Sequence, residues 1–315
     1  MFELVLLDGG AGRELARMGA PFRQPEWSAL ALMEAPDFVL RMHRRYVEAG
    51  ADVITTNSYA VVPFHIGSAR FTARGAELAD LAGRLAREAA VTASRPIKVA
   101  GSLPPVCGSY RADLFHPEHA RPILQVLVRG LAPHVDHWLA ETLSAIEEAE
   151  LVREVIDGAD IGQRPLWLSF TLEDESAVRG RPRLRSGQPV GEAVAAAIRL
   201  RAAAVLFNCS QPEVMEDAVS IASSVIEDSK AGLRIGVYAN AFPPQSKDAT
   251  ANTGLSEIRA DLAAENYLAF AKAWQQGGAS ILGGCCGIGP EHIEALRRGL
   301  MAGGDPRTCA TLRRL

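Results

Sequence analysis

The sequence feature that most constrains the fold is a repeated alternation of short apolar runs with longer amphipathic stretches. The pattern recurs about every 35 to 40 residues, a spacing typical of strand-plus-helix units. Eight of the apolar runs are predicted strands: 4–8, 51–55, 97–101, 135–139, 166–170, 203–207, 234–238 and 279–282. Eight alternating units in 315 residues predict an α/β fold with one closed (β/α)8 barrel, a TIM barrel, rather than an open sheet.

The stretches between the strands have the periodicity of surface helices. In residues 76–86, apolar side chains recur at positions i, i+3, i+4 and i+7. The last helix is predicted to begin at Pro290, because proline suits the first helical turn. Since no low-complexity linker divides the chain, we expect one barrel domain over residues 1–315, with 301–315 as a C-terminal tail.

Composition excludes several classes of protein. The chain is 48% hydrophobic and 22% charged with a net charge of −4, which gives no electrostatic reason to bind nucleic acid or an anionic membrane. No apolar run approaches the roughly 18 residues that span a bilayer, and the first residues lack a basic leader. Five cysteines form an odd, sparse set, which predicts a reduced, cytoplasmic setting. Small-molecule partners are expected, and a homo-oligomer stays open.

Three cysteines follow predicted strands and suggest a metal site. Cys285 and Cys286 are adjacent, lie between glycines and come directly after the last strand, while Cys209 follows the sixth. Three thiolates at strand ends predict a Zn²⁺ site with one position left open, as in catalytic zinc sites. Two alternatives remain: Cys209 as an ordinary core thiol, and the pair as a redox dithiol, although the Cys-x-x-Cys spacing is absent.

Polar residues are also predicted where the strands of a barrel end, which is where barrel enzymes place their active sites. Asp8 ends the first predicted strand, Thr56 follows the second, and Glu141 follows the fourth. Simpler readings are a helix cap for Asp8 and a solvated carboxylate at a helix start for Glu141. The glycines at 9, 10 and 12 lack the spacing of a dinucleotide site. The histidines lack zinc-ligand spacing and are expected to be structural.

Five motifs occur along the chain in the order 8–12 (DGGAG), 50–59 (GADVITTNSY), 141–142 (ET), 208–210 (NCS) and 283–287 (GGCCG). In this order they resemble the homocysteine S-methyltransferase family. The resemblance runs from Leu7 to about Leu300, and the Asn-Cys followed by Gly-Gly-Cys-Cys-Gly is its most specific part.

The resemblance implies a zinc-dependent (β/α)8 methyltransferase that methylates the sulfur of homocysteine and gives methionine. The implied zinc ligands are Cys209, Cys285 and Cys286. The positions implied to hold the substrate amino group are Asp8 and Glu141, and those near its carboxylate are Gly9 and Thr56.

The methyl donor is the least determined part of the resemblance. Residues 25–29 (PEWSA) are similar to the branch that uses S-methylmethionine or S-adenosylmethionine. The chain departs from the family at 238–240, where Tyr-Ala-Asn replaces Tyr-Pro-Asn, and at 101–105, where Gly-Ser-Leu-Pro-Pro replaces Gly-Ser-Ile-Gly-Pro. Cys107 adds a thiol of undefined role. These changes concern loops expected to border the pocket.

The chemistry of a three-thiolate zinc centre agrees with this interpretation. A free thiol is mostly protonated at neutral pH, and zinc favours the thiolate that acts as nucleophile. A negatively charged centre favours a cationic sulfonium donor, with betaine as the next candidate. The alternatives are another thiol or a selenol as acceptor, a non-catalytic zinc- or thiol-binding barrel, and a zinc hydrolase, which would normally use histidine and carboxylate ligands.

Overall fold

The computed structural model describes residues 2–174, 177, 179–245 and 257–301. It contains all eight predicted strands in one parallel sheet. These are β1 (Val5–Leu6), β2 (Val53–Thr55), β3 (Lys98–Leu103), β4 (His137–Leu143), β5 (Leu166–Phe170), β6 (Ala204–Asn208), β7 (Arg234–Tyr238) and β8 (Ile281–Leu282). The predicted tail beyond Met301, with Cys309, lies outside the described residues.

Helices surround the sheet, as the amphipathic stretches predict. They are α1 (Ala11–Arg17), α2 (Ser28–Glu34), α3 (Pro36–Ala49), α4 (Pro63–Ile66), α5 (Ser68–Val91), α6 (Pro117–Leu131), α7 (Ile146–Ala159), α8 (Val190–Arg199), α9 (Met215–Ser229), α10 (Ala264–Gln276) and α11 (Pro290–Met301). The predicted segment 76–86 lies inside α5, and Pro290 begins α11. Within the described ranges, no helix is long and apolar enough to cross a bilayer.

The sheet closes into a barrel at its two edge strands. Its order is β1-β8-β7-β6-β5-β4-β3-β2. Just beyond β1, Leu7 bridges Val53 of β2 in parallel, and the Asp52 N–H donates to the Leu6 carbonyl at 2.7 Å. The prediction of a single (β/α)8 barrel is therefore confirmed.

Apolar side chains fill the barrel below its C-terminal rim. One buried cluster contains only residues on or beside the strands, among them Leu139, Leu206 and Ile281, whereas a larger cluster joins strands to helices. Because strand side chains alternate between faces, residues two positions after the inner ones also face inward. This second ring is polar and lies nearest the rim: Thr55, Ser102, Glu141, Ser169 and Asn208.

Three polar residues that lie just beyond the predicted runs 97–101, 135–139 and 203–207 belong to the strands. Ser102 belongs to β3, Glu141 to β4 and Asn208 to β6. The reason is that the apolar runs end where the inner face turns polar, while the backbone pairing continues toward the rim. Strand β4 is also irregular between Ala140 and Leu143, and this bulge puts Leu143 in the outer cluster, although Leu139 faces inward.

Candidate metal and substrate site

Three cysteines converge at the C-terminal rim because strand β7 ties their loops together. Cys209 directly follows β6, and its N–H donates to the Tyr238 carbonyl at 3.3 Å. The Cys285 N–H donates to the Ala239 carbonyl at 2.9 Å. As a result, the sulfur atoms of Cys209, Cys285 and Cys286 all lie within 4.8 Å of one another.

This cluster fits a single metal ion. Thiolates that share one tetrahedral zinc at Zn–S of about 2.3 Å stand roughly 3.8 Å apart. Since no two of the sulfurs are more than 4.8 Å apart, side-chain movements of about 1 Å would bring them to that spacing. The backbone around them is tightly fixed: Cys209 has a left-handed φ of 53°, and a Cβ on Gly10 would come within 2.5 Å of the Cys285 carbonyl oxygen. Soft thiolate donors suit zinc among the common metals.

The three thiols share negative charge even without a metal. Hydrogen bonds from the Cys285 and Cys286 thiols lower the pKa of Cys209 well below its ordinary value, helped by the Tyr110 hydroxyl. Their contact with Cys209 raises the pKa of Cys285 and of Cys286. One thiolate is thus stabilised inside the cluster, and a divalent cation would favour deprotonation of the other two.

Glu141 projects from the inner face of β4 as a buried carboxylate. Ser102 Oγ donates to its Oε1, and the Tyr238 hydroxyl donates to its Oε2 at 3.3 Å. Burial raises the pKa of Glu141 to about 7, and the negative charge of Cys209 adds to the rise. The alternative of a solvated carboxylate at a helix start is wrong, because Glu141 is only 8% exposed and lies within a strand.

Asp8 lies at the same rim, just after β1, and is also buried. The Thr55 N–H donates to its Oδ2 at 2.7 Å, and Thr55 Oγ1 donates to its Oδ1 at 3.0 Å. Burial raises the pKa of Asp8 to about 7 despite these hydrogen bonds. The helix-cap alternative is wrong, since Gly10 occupies the cap position of α1 and Asp8 bonds across to β2.

The two remaining predicted substrate positions form part of the wall. Gly9 has no room for a side chain, because a Cβ there would come within 2.3 Å of the Ile288 carbonyl oxygen. The Thr56 hydroxyl accepts from the Ser102 N–H at 3.0 Å and bonds Ser58 Oγ at 2.9 Å. It therefore ties the loop after β2 to β3 while facing the site.

One cavity of about 170 Å³ joins all seven predicted site residues. Its lining includes the three cysteines, the two carboxylate residues Asp8 and Glu141, and Gly9 and Thr56. Further lining residues that the sequence analysis did not single out are Arg13, Tyr110 and Phe242. They come from helix α1 and from the loops after β3 and β7, and no spacing pattern in the sequence links them to the cysteines.

Comparison with known proteins shows the family of the chain. The family model described as homocysteine S-methyltransferase matches residues 5–300. Homocysteine S-methyltransferase 1 of Zea mays is 30% identical, covering 93% of this chain and 93% of that protein. Selenocysteine Se-methyltransferase of Brassica oleracea var. italica is 28% identical, covering 94% and 89%.

A solved structure extends the match to the fold. The metallated form of the homocysteine methyltransferase MmuM from Escherichia coli superposes with a TM-score of 0.71 at 26% identity, covering 95% of this chain and 96% of that one. With the family model spanning nearly every described element, the chain belongs to the homocysteine S-methyltransferase family and is a methyltransferase.

Proposed function

We propose that this enzyme transfers a methyl group from a sulfonium donor to the thiol of homocysteine, giving methionine, with Zn²⁺ held by Cys209, Cys285 and Cys286. The observation that supports this most is the sharing of one cavity by three thiols and two buried carboxylates, Asp8 and Glu141. Homocysteine has the matching groups, a thiol and an ammonium, on one short chain.

The carboxylates orient the acceptor. Once ionised, Asp8 and Glu141 attract the substrate ammonium, and their own hydrogen bonds to Thr55, Ser102 and Tyr238 fix them in place. A zinc ion, when bound, supplies the positive charge that favours the thiolate form of the substrate. The homocysteine sulfur then forms a bond to the methyl carbon, the carbon–sulfur bond of the donor breaks, and the donor leaves as a neutral thioether.

The aromatic wall of the cavity supports a cationic donor. Trp27, Tyr59 and Phe242 line the same cavity as the cysteines. Ring faces attract cations, and they do so more strongly when water is excluded. Anionic thiolates nearby attract a sulfonium into the cavity. Because the charges of the sulfonium and of the attacking thiolate cancel as the methyl moves, exclusion of water from the cavity favours the transfer. S-Methylmethionine and S-adenosylmethionine fit this description, and betaine is the next candidate.

A donor panel tests the proposal directly. Zinc-loaded enzyme with homocysteine is incubated separately with S-methylmethionine, S-adenosylmethionine, betaine and methylfolate, and methionine is quantified by mass spectrometry. Turnover with at least one sulfonium is expected. Turnover with methylfolate alone would overturn the donor assignment, and failure of every donor with homocysteine would overturn the acceptor.

The acceptor arm of the same assay addresses one further candidate. A relative at 28% identity is a selenocysteine Se-methyltransferase, so selenocysteine is included as acceptor beside homocysteine. A selenol would meet the same carboxylates through its ammonium. Hydrolysis is disfavoured, because three thiolates leave the centre less electrophilic than the histidine and carboxylate sets of zinc hydrolases.

Acidification is expected to reduce kcat/KM for homocysteine as the pH falls through about 7. Burial raises the pKa of both Asp8 and Glu141 to about 7. Below that pH both carboxyl groups become neutral and no longer attract the substrate ammonium. If both carboxylates must be ionised, kcat/KM should fall by up to about a hundredfold per pH unit. In Glu141→Gln, where one of the two ionisations is removed, the fall should be about tenfold per pH unit. Steady-state rates from pH 5.5 to 8.5 provide the check, and a flat profile contradicts the role of both carboxylates.

Arg13 is expected to bind the carboxylate of the donor. It lines the cavity, its guanidinium carbon stands 5.7 Å from the centre of the Phe242 ring, and its positive charge counteracts the rise in the pKa of Cys286. All three donor candidates carry a carboxylate. Since a hydrogen bond to a charged group contributes about 1.5 to 3 kcal/mol, Arg13→Gln should raise the KM of the donor about 10- to 100-fold.

The matched control for Arg13 is a donor without a carboxylate. Trimethylsulfonium should have the same KM with the wild-type enzyme and with Arg13→Gln. A rise in the KM of homocysteine, with that of the donor unchanged, would assign Arg13 to the acceptor instead.

A further inference from the structure

Tyr110 contacts the proposed metal ligand Cys209 from a loop on the far side of the barrel. Its hydroxyl lies 2.9 Å from Cys209 Sγ and 3.4 Å from the Cys209 carbonyl oxygen. The residue also has a left-handed φ of 67°. Such a backbone conformation is unfavourable for a bulky residue and persists where the surroundings enforce it.

A buried ion pair holds the ring of Tyr110 from behind. The guanidinium carbon of Arg185 lies 4.7 Å from the ring centre, and Arg185 pairs with Asp174 at 3.2 Å. Both charged side chains are almost completely buried, at 2% and 0% exposure. Breaking a buried ion pair is strongly destabilising, so this pair is expected to keep Arg185 against the ring.

Gln245 ties this pair to the loop after β7. Its N–H donates to Asp174 Oδ1 at 2.9 Å, and its carbonyl accepts from Arg185 at 3.0 Å. The loops after β3, β5 and β7 therefore meet at Tyr110, next to the cysteines. A cation over the ring also draws electron density from the phenol, which makes its hydroxyl a better donor.

We propose that Tyr110 is a positioning residue that donates a hydrogen bond to the Cys209 thiolate when the cysteines hold a metal, and that Arg185 and Asp174 keep it there. The bond withdraws charge from one of three anionic ligands. It thereby limits repulsion within the ligand set and orients Cys209 toward the ion. Hydrogen-bond partners of metal ligands typically contribute 10- to 100-fold to metal affinity.

The test uses the metal itself as the probe. In Tyr110→Phe, zinc affinity, measured by competition with a chromophoric chelator, should fall about 10- to 100-fold. In the Co²⁺-substituted protein, the sulfur-to-cobalt charge-transfer band should move to lower energy, because the sulfur lone pair loses its hydrogen bond. The control is Tyr59→Phe, which removes a hydroxyl that bonds Ser109 Oγ at 2.7 Å in the same cavity wall. Its band should stay at the wild-type energy.

The outcomes separate this inference from the proposed function on which it rests. An unchanged band and affinity in folded Tyr110→Phe overturn the role of Tyr110, while the metal centre stands. Failure of the wild-type protein to bind zinc or cobalt overturns the metal centre itself. If circular dichroism shows that Tyr110→Phe does not fold, Arg185→Met is measured instead. A charge-transfer band shifted in the same direction supports the proposal, and an unshifted band overturns it.

Discussion

Replacing Cys209 with serine is expected to reduce bound zinc from one equivalent to near zero and to abolish methyl transfer. A serine hydroxyl stays protonated at neutral pH, so the centre loses one of three charged donors. The loss of zinc affinity should exceed the roughly 10- to 100-fold loss expected when only the hydrogen-bond partner of a metal ligand is removed. Zinc per chain by elemental analysis, together with methionine formation, measures both effects.

Cys107→Ser is the matched control for that experiment. Cys107 is another described free cysteine, half-buried and packed against the main hydrophobic core rather than in the cluster. Zinc content and turnover should both be retained. A Cys209→Ser protein that keeps a full equivalent of zinc would show that the cluster is not the ligand set.

Glu141→Gln is expected to lower kcat/KM for homocysteine by roughly 30- to 5,000-fold while leaving one zinc bound. Removing one member of a buried charge pair costs about 2 to 5 kcal/mol, and the amide retains the shape but loses the charge that the ammonium needs. Asp8→Asn should act in the same direction. Steady-state kinetics at pH 8, where the carboxylates are ionised, give the clearest comparison.

A second buried carboxylate provides the control for Glu141. Glu148, in α7, likewise has a pKa raised to about 7 by burial, but it accepts from the Ser144 and Ala145 N–H groups and does not line the cavity. Glu148→Gln should lower thermal stability and leave the KM for homocysteine unchanged. If Glu141→Gln loses zinc in proportion to activity, Glu141 acts on the metal rather than on the ammonium.

The barrel was predictable because each strand carries its own local signal. Apolar runs such as 203–207 mark the strands, and the helical stretches between them show the period of a half-buried helix. What the runs did not mark is the polar C-terminal end of strands β3, β4 and β6. Counting alternate positions onward from Leu139 would have placed Glu141 on the inner face of β4, which the structure shows.

Other contacts at the site leave no local trace in the sequence. Tyr110 and Cys209 are 99 positions apart, and Gln245 and Asp174 are 71 apart. Each pair is formed by irregular loops whose paths depend on the whole rim, so neither periodicity nor spacing indicates them. The cysteines were an exception, because strand order in a barrel puts the ends of β6 and β8 on either side of β7.

The closure of the barrel also determines when the cysteine cluster can form during synthesis of the chain. Strand β8 is inserted between β7 and β1, and the Gly284 N–H donates to the Asp8 carbonyl at 3.0 Å. A ribosome adding about 5 to 20 residues per second needs roughly 15 to 55 s to travel from Asp8 to Cys285. During that interval Cys209 emerges before the other two cysteines of the cluster, and the Asp8 carbonyl still lacks its hydrogen-bond donor after β8. Any metal that needs all three cysteines is therefore bound late in the maturation of this protein, after synthesis of the strand that closes the barrel.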